Sequence, residues 1–587
     1  MAVQSALAGS HPRSLARSWR LLRYRPSPAA TFFLACLAVY VAVAWWVSAN
    51  GLTYALDGGD AVSRVEAANR VLFSNDPHLA AIGFVWGPLL EILLLPLVAL
   101  KPLWPALVTQ SLAGDLLSAA FTAGATWQFF RLLREVGLGF RMTVVFTVAL
   151  ALDPLVLLHA ADGMSEGWFL FFLISVAREL NRWLRTGSPG ALVACGMYLA
   201  VSYLARYETA AAAAAAVAVV AIATVARSPA PWRQRVRDAA LRACVVATPF
   251  ALAFAGWAGV SWLITGTPLQ QFGGVYGNSQ SLAARGIVTP STWSGLLANA
   301  GQQLHSILGL EPFLPLIVLM FAVLVVRRRD WAALGAPAVL AAVFIFMTYA
   351  IVTREIIPLL RYLIVEIPLA LLLLATVLAP APQSVGTLDS RERQRPRDAG
   401  AGERARRAGA PAASSGLVRG SVVGATCVAL VLTIVAGLQT LQNPTADPEV
   451  APVVQALLTR TALPPSAYPL TVDAQICSYL DARHLPAGSV LMDDFIGYPI
   501  QMLSTDPGQF VITSDRDFQQ ALVDPSAFHI EYVLIPPPIG LGKLDAVNRA
   551  YPDAYSTGKG IGELVTTFSD TSGYNTDWRL YRVTASQ

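Results

Sequence analysis

Apolar runs about twenty residues long recur along most of this chain. A helix of that length, rising 1.5 Å per residue, reaches across the roughly 30 Å hydrocarbon core of a bilayer. Hydrophobic residues make up 55% of the 587 residues and charged residues 13%, whereas soluble domains carry about 25% charged residues. The sequence therefore predicts a polytopic α-helical membrane protein. Its net charge of +5 arises in arginine clusters between the runs, so no nucleic-acid partner is expected.

The first apolar run, near 29–48, follows a stretch that contains five arginines. It is longer than the apolar region of a cleavable signal peptide, which has about 7 to 15 residues. We therefore predict a basic cytoplasmic N-terminus over 1–28 and a retained first helix. About eleven transmembrane helices are expected in total. The other ten runs lie near 106–130, 142–160, 165–180, 190–205, 208–226, 241–264, 306–326, 331–352, 359–379 and 420–438.

The segment 82–104 is apolar but is interrupted by glycines, prolines and Glu91. If it crossed the membrane, the arginine cluster at 131–141 would lie outside. The positive-inside rule therefore favours an interfacial or re-entrant segment here. On this count, residues 29–380 form a transmembrane module whose outer loop spans 50–105.

This topology places the remaining charged residues of the loops on one outer face. A charge at mid-bilayer costs about 2.5–3.5 kcal/mol even on the lenient insertion scale, so these side chains should lie at the interface or in a hydrated cavity. The sequence thus predicts an outward-facing site with charges of both signs. Its candidate members are Asp57, Asp60, Arg64, Glu66, Asp162, Glu166, Arg206, Glu208, Arg354, Glu355 and Arg361.

The last third of the chain has a different composition. Residues 381–418 are rich in Arg, Ala, Gly, Pro and Ser without apolar periodicity, which predicts a disordered cytoplasmic linker. A last transmembrane helix is expected over 419–440. From 445 to 587, strand-like runs alternate with helical patterns, as is typical of a small α/β domain, here extracytoplasmic. The predicted strands lie at 490–492, 510–513, 532–535, 564–567 and 579–583.

Two aspartates, Asp57 and Asp60, flank a Gly-Gly pair just after the first apolar run. In one interpretation Asp60 caps the next helix, because Asp is among the best N-cap residues. In the other, a carboxylate at the outer face takes a proton. The stretch 61–74 has apolar residues at helical spacing, so it is predicted to lie along the outer membrane surface, with Arg64 and Glu66 on its other faces.

A second acidic loop contains Asp162 and Glu166, which are four residues apart and would share one face if the segment were helical. Alternatively, Ser165 or Asp162 caps the next transmembrane helix. Carboxylates at this spacing are also candidates for holding a divalent cation such as Mg²⁺ or Mn²⁺, although hard cations need several oxygen ligands.

Arginines also occur on the predicted outer face. Arg206 and Glu208 interrupt an almost continuous run of alanine, leucine and valine, and either form a local ion pair in a turn or bind substrate. Arg354 and Arg361 lie two turns apart at the outer end of a span. Their side chains could snorkel to the interface. However, arginines outside run against the positive-inside bias, and a guanidinium suits a phosphate or diphosphate, so anion binding is favoured.

The order of these motifs resembles the GT-C superfamily of polytopic glycosyltransferases, in its protein mannosyltransferase and aminoarabinose transferase branch. The resemblance covers residues 28–380, and many such enzymes append an outer α/β domain. Tyr207 stands where the family's Arg-Pro-Glu turn has proline. The motifs that carry the resemblance are the acidic loop 57–64, Trp86-Gly87-Pro88-Leu89-Leu90, Asp153-Pro154, the loop 162–170, Leu204-Ala205-Arg206-Tyr207-Glu208 and Arg361-Tyr362-Leu363.

The resemblance implies an enzyme that moves a sugar from a polyprenyl-phosphate-type lipid donor to an acceptor on the outer face of the plasma membrane. The acceptor would be a cell-envelope glycan, lipid or protein. An inverting displacement needs a carboxylate base and cations on the departing phosphate. Asp60 is the implied base and Asp57 the second candidate, while Asp162 and Glu166 would position the acceptor or a divalent cation. The implied donor-binding residues are Arg64, Glu66, Arg206, Glu208, Arg354, Arg361 and Tyr362.

Two other classes of protein share these features. In a transporter or flippase for a lipid-linked sugar or other anion, the same charges would line a pathway. Transporters often contain internal repeats with paired broken helices, and this sequence shows no such halves. A scaffold whose outer domain binds cell-envelope partners is the third class.

Overall fold

The computed structural model describes residues 27–57, 59–380, 414–467, 470–569 and 577–584. Of Asp57 only the backbone is described. Most of the predicted cytoplasmic N-terminus, and residues 381–413 of the predicted linker, lie outside the described residues.

Helices form most of the chain up to residue 441. Two of them, Trp293–Leu310 and Leu314–Arg328, meet at a bend of 80°. The full set is Pro28–Ala49, Thr53–Asp57, Asp60–Phe73, Leu89–Val98, Ala106–Thr109, Leu112–Val136, Phe140–Leu152, Pro154–His159, Glu166–Thr186, Pro189–Tyr203, Thr209–Arg227, Trp232–Thr265, Gln270–Gly273, Asn278–Ala284, Trp293–Leu310, Leu314–Arg328, Gly335–Val352, Glu366–Leu378 and Ser414–Leu441.

Within the described residues, six helical segments are long and apolar enough to cross a membrane, or seven if the bent pair is one span. The protein is therefore a multi-pass membrane protein, as predicted. Each of the eleven predicted spans falls on helical residues. The spans outside the six or seven lie on shorter helices, Phe140–Leu152 and Pro189–Tyr203, or on the more polar Leu112–Val136 and Glu166–Thr186, so the number eleven stays a prediction.

The doubtful segment 82–104 contains one helix of ten residues, Leu89–Val98, with Pro96 inside it. At 1.5 Å per residue this helix is about 15 Å long, half the thickness of the hydrocarbon core. Leu94 and Val98 pack in one cluster with Val65 of the helix Asp60–Phe73. The segment is therefore too short for a single helical crossing, in agreement with the interfacial or re-entrant prediction.

The helix Asp60–Phe73 differs from its prediction as a surface helix. Val62 and Val65 are buried, and they pack in one cluster with Leu94 of the neighbouring helix and with Met502 of the C-terminal domain. The predicted apolar stripe is present, but protein covers it, because the C-terminal domain lies over the outer loop.

The C-terminal domain contains a five-stranded sheet. Its strands are β1 (Val490–Leu491), β2 (Phe510–Val511), β3 (Tyr532–Ile535), β4 (Gly562–Phe568) and β5 (Trp578–Val583), each at a predicted position. The order is β2-β1-β3-β5-β4, with β1, β2 and β3 parallel and β5 antiparallel to both β3 and β4. The helices of the domain are Ala451–Thr459, Thr471–Asp481, Asp494–Leu503, Phe518–Val523, Ala546–Ala550 and Ala554–Thr557.

Apolar clusters cover both faces of this sheet. Val490 and Leu534 pack with Ile476 on one face, whereas Leu491 and Val533 pack with other helices on the opposite face. Successive strand residues point to opposite faces, so parallel strands covered on both sides read as continuous apolar runs. The predicted α/β domain is confirmed.

Polar contacts join the C-terminal domain to the loops of the membrane module. Arg70 of the outer loop forms a salt bridge with Asp494, the third residue after β1. The hydroxyl of Tyr276 donates to Oδ2 of Asp493 at 2.7 Å. The domain therefore lies against the same loops that carry the predicted site.

Candidate active site

Asp60 and Arg361, 301 positions apart in the chain, meet in a salt bridge. Oδ2 of Asp60 lies 2.7 Å from Nη2 of Arg361. Asp60 is the first residue of its helix, and Arg361 belongs to the short 3-10 turn Leu360–Leu363. The side chain of Asp60 is 30% exposed and that of Arg361 11%. The carboxylate is thus accessible while the guanidinium is mostly buried.

A left-handed glycine positions Asp60. Gly59 has a φ of +102° and occupies the N-cap position, with no side-chain capping bond. The interpretation of Asp60 as the cap is therefore wrong, because Asp60 lies inside the first turn and its carboxylate contacts Arg361. The hydroxyl of Tyr498 donates to the carbonyl of Gly59 at 3.2 Å, and a Cβ on Gly59 would collide with it. The C-terminal domain thus holds the turn that carries Asp60.

Arg361 has hydrogen-bonding capacity that the described residues do not use. Its Nη2 contacts Asp60 and, at 3.3 Å, the hydroxyl of Tyr362. Nη1 lies 3.6 Å from the sulfur of Met164, a weak acceptor. Nε is buried and has no partner among the described residues. Because buried donors are normally paired, this guanidinium is suited to a further anionic ligand.

Arg206, by contrast, is fully engaged. Its Nη1 donates to Oε1 of Glu166 and, at 3.0 Å, to the hydroxyl of Ser165, and its Nη2 donates to Oε1 of Glu208 at 2.6 Å. The predicted local ion pair with Glu208 is confirmed. Ser165 occupies the N-cap position of the helix that begins at Glu166, as one interpretation had it, but its side chain makes no capping bond. Two carboxylates on one guanidinium leave no positive charge for a ligand.

The ring of Tyr362 contacts both arginines. The guanidinium carbons of Arg361 and Arg206 lie 5.1 Å and 5.7 Å from its centroid, within the range of a cation–π contact. These three residues and Glu208 line a pocket whose empty space, counted together with the open solvent at its mouth, is about 210 Å³. The rest of the lining is apolar and consists of Phe169, Val343, Met347, Ile364 and Val365.

Asp162 and Glu166 do not form a joint ligand set. Oδ2 of Asp162 lies 2.6 Å from Nδ1 of His159, and Oδ1 accepts from the N–H of Met164 at 3.0 Å. Asp162 precedes the helix that begins at Glu166, so the two residues do not share a helix face. With Glu166 committed to Arg206, this pair does not fit a metal ion, and the described residues include no group of three or more His, Cys, Asp or Glu that could hold one. A divalent cation stays a prediction without assigned ligands.

Close approaches at two glycines bring the loops together. A Cβ on Gly87 would collide with the carbonyl of Leu204, so the Trp-Gly-Pro element abuts the turn before Arg206. Gly163 has a φ of +76°, and a Cβ there would lie 3.1 Å from that of Ala61. The second acidic loop therefore packs directly against the helix that Asp60 begins.

Arg64 and Glu66 are not brought to this pocket. Arg64 is buried, and its Nε lies 3.8 Å from Oε1 of Glu91. Glu66 is fully buried and accepts from the amide of Asn69 at 2.9 Å. Burial raises the pKa of Glu66 to about 8. Both side chains have partners inside the outer loop, so the structure does not support their placement with the donor-binding residues.

Arg354 also lies apart from the pocket. Its Nη2 donates to Oδ1 of Asn299 at 3.0 Å and to Oε1 of Gln302 at 3.3 Å. Of the residues predicted to bind donor, the structure therefore groups only Arg206, Glu208, Arg361 and Tyr362. The side chain of Asp57 lies outside the described residues.

Three residues at the site were not singled out from the sequence. His159 contacts Asp162, as described above. Oδ2 of Asp447 accepts from the N–H of Leu360 at 3.3 Å, next to Arg361. Burial raises the pKa of Glu449, and the charge of Arg361 opposes that rise. The signal that could have found the last two is their position just after the last span, on the predicted outer face.

No family model matches the chain, and no curated protein matches it. Solved structures do match. ArnT from Cupriavidus metallidurans bound to undecaprenyl phosphate gives a TM-score of 0.51 at 14% identity, over 96% of this chain and 98% of that chain. Apo ArnT from the same organism gives 0.49 at 13% identity, over 97% and 98%. The oligosaccharyltransferase AglB from Archaeoglobus fulgidus gives 0.42 at 13% identity, over 94% of this chain and 74% of that chain.

The match to undecaprenyl-phosphate-bound ArnT extends over nearly all of both chains. The chain has the GT-C fold. The fold expected from the order of the motifs is therefore confirmed for the membrane module and the C-terminal domain together. Within this GT-C fold, the contact between Asp60 and Arg361 joins the first outer loop to the end of the module.

Proposed function

We propose that this protein is a membrane glycosyltransferase that moves a sugar from a polyprenyl-phosphate-type donor to an acceptor on the outer face of the plasma membrane. The observation that carries the proposal is Arg361, a mostly buried guanidinium with unused donors beside an accessible carboxylate. Phosphate suits that guanidinium, and an isoprenoid chain suits the apolar lining of the pocket. The shared fold of ArnT, solved with undecaprenyl phosphate, supports this ligand class.

In the proposed reaction, a hydroxyl of the acceptor attacks the anomeric carbon of the donor sugar with inversion. Asp60 accepts the hydroxyl proton as the new carbon–oxygen bond forms. The bond between the anomeric carbon and the phosphate oxygen breaks, and its electron pair leaves on the polyprenyl phosphate. Nε and Nη1 of Arg361 stabilise the charge that develops there.

Arg206 has a different role in this proposal from the one predicted. Because Glu166 and Glu208 neutralise it, Arg206 cannot compensate a phosphate charge without losing a buried ion pair. Its contact with the Tyr362 ring fixes the wall of the pocket beside Arg361. We therefore assign Arg206, Glu166 and Glu208 to positioning, and donor binding to Arg361 and Tyr362.

The experiment measures donor-dependent release of polyprenyl phosphate in membranes supplied with labelled lipid-linked sugar. Asp60→Asn keeps the shape of the side chain but cannot take a proton, so transfer should fall by about 10²- to 10⁴-fold. Asp57→Asn tests the second candidate. Asp553→Asn is the matched control, because this aspartate is 67% exposed on the C-terminal domain and its side chain pairs with an exposed lysine.

Full transfer by the Asp57→Asn/Asp60→Asn double variant would falsify the assignment of the base. Uptake of the lipid-linked sugar into proteoliposomes without release of polyprenyl phosphate would identify a transporter instead. Folding of each variant is checked by its thermal melting in detergent, so that lost transfer is not mistaken for lost structure.

A further inference from the structure

A second cleft lies across the Leu360–Leu363 turn from the Arg361 pocket. Leu360 and Leu363 line this cleft, whereas Arg361 and Tyr362 line the pocket. The cleft encloses about 320 Å³, including its open mouth. We propose that it binds the phosphate-bearing head group of an anionic membrane lipid, with Arg354 on the phosphate and amide side chains on the neighbouring hydroxyl groups.

One wall of the cleft is a polar stripe on a helix of the bent pair, Trp293–Leu310. Asn299, Gln302, Gln303 and Ser306 all line the cleft, and their spacing of three and four residues places them on one helix face. Gln303 is only 5% exposed, and its amide nitrogen has no partner among the described residues. An unpaired buried amide costs about 1–3 kcal/mol, so a ligand that accepts its hydrogen bond would remove a penalty.

Arg354 supplies the positive charge of the cleft. Its contacts are with the amide oxygens of Asn299 and Gln302, and among the described residues no carboxylate lies within 4.0 Å of it. Its φ is +61°, a left-handed conformation that an arginine adopts only at an energetic cost. The backbone of Arg354 is therefore strained, and its guanidinium contacts the polar stripe without a carboxylate partner among the described residues.

The surroundings favour a lipid over a soluble anion. Leu359, Leu360 and Leu363 belong to the apolar part of the cleft. On the helix that carries the stripe, Leu297 and Leu304 are 61% and 53% exposed, as expected for side chains that face acyl chains in a membrane protein. A ligand with a phosphate, hydroxyl groups and acyl chains matches the cation, the amides and the leucines together.

Leu360 and Leu363 line the cleft and also belong to the 3-10 turn that carries Arg361. A ligand bound in the cleft would therefore stabilise this turn. The site itself does not depend on the proposed function, since lipid binding is measured without any sugar transfer. Failure of the transferase proposal and failure of this proposal are therefore distinguishable.

The test is a thermal-melting titration of the purified full-length protein with short-chain phosphatidylglycerol. Phosphatidylcholine with the same chains and free glycerol phosphate are the comparison probes. Phosphatidylglycerol should raise Tm in a saturable manner, and Arg354→Gln should weaken its apparent affinity about tenfold or more. Arg460→Gln is the matched control, because Arg460 is exposed and also left-handed, with a φ of +55°.

Arg354→Gly separates charge from backbone strain. Glycine adopts the left-handed conformation freely, so this variant should melt no lower than Arg354→Gln in the absence of lipid and still lose the phosphatidylglycerol response. Asp60→Asn should bind phosphatidylglycerol like the wild type. Equal responses to the two lipids, equal affinity of Arg354→Gln and Arg460→Gln, or equal binding of glycerol phosphate alone would each overturn the assignment of this cleft to an anionic lipid.

Discussion

Arg354 and Arg361 lie seven residues apart in the sequence but differ in burial and in partners. Arg361 is mostly buried and faces the carboxylate of Asp60, whereas Arg354 is half-buried among amides without an acidic partner. An arginine beside a carboxylate can hold a reacting phosphate next to a base. An arginine among amides can hold an anion that does not react. The difference teaches that the partner of an outer-face arginine, more than its position in a span, decides its role.

The largest expected effect is on catalysis by Arg361. Arg361→Gln removes the cation from the departing phosphate, and transfer should fall by about 10³-fold, as for the loss of a preorganised donor. Arg354→Gln should change transfer by less than about tenfold, because its charge acts on another cleft. Release of polyprenyl phosphate, measured as kcat and KM for both variants, checks this contrast. Equal losses in the two variants would remove the distinction between the arginines.

The next effect concerns the fully paired arginine. Arg206→Gln leaves Glu166 as an uncompensated carboxylate that is 1% exposed, and the free energy of unfolding should fall by about 3 kcal/mol or more. Arg361→Gln should destabilise less, because Asp60 is 30% exposed and water can solvate it. Thermal melting of both variants in the same detergent measures the difference. Glu208→Gln is the control, since Arg206 keeps one buried partner there.

A smaller effect is expected where the C-terminal domain holds the Asp60 turn. Tyr498→Phe removes the hydrogen bond to the carbonyl of Gly59, worth about 1 kcal/mol. Transfer should fall by about fivefold if this energy serves to place Asp60. Tyr555→Phe is the matched control, because its hydroxyl makes a 3.4 Å bond within the C-terminal domain. A loss that appears equally in both variants would show that the bond serves the domain and not the turn.

The last expected effect concerns stability alone and is a dependence on pH. Burial raises the pKa of Glu66 from 4.5 to about 8, so between these values the native state binds more protons than the unfolded state. Stability therefore falls as pH rises through this window. Glu66→Gln should remove part of that slope and leave the phosphatidylglycerol response unchanged. Tm measured from pH 5 to pH 8.5 in both proteins tests it, and an unaltered slope contradicts the buried, protonated Glu66.

The sequence predicted the elements of the fold more reliably than the partners of its charges. Apolar runs located the helices, and strand-like runs located all five strands, because these patterns are local properties of the sequence. The helix Asp60–Phe73 lies where it is predicted, but the sequence assigns it to the membrane surface. No residue near it in the sequence indicates that Met502 of the C-terminal domain covers it.

The site was predicted in part for the same reason. Asp60, Arg206 and Arg361 were grouped by topology, which restricts charges to one face, and the structure brings them into one region. Arg64 and Arg354 share that predicted face but have other partners. Which partner each charged side chain finds depends on close approaches between loops. At Gly87, for example, the absence of a side chain lets two loops meet. Spacing along the sequence does not reveal such approaches.

The hydrogen bond from Tyr498 to Gly59 joins residues 439 positions apart. During synthesis, the carbonyl of Gly59 therefore gains this contact only after a further 439 residues have been made. A chain whose C-terminal domain is missing or misfolded would still contain every residue of the pocket. It would lack the hydrogen bond from Tyr498 that holds the turn before Asp60. The domain thus supports a turn that is synthesised long before the domain itself.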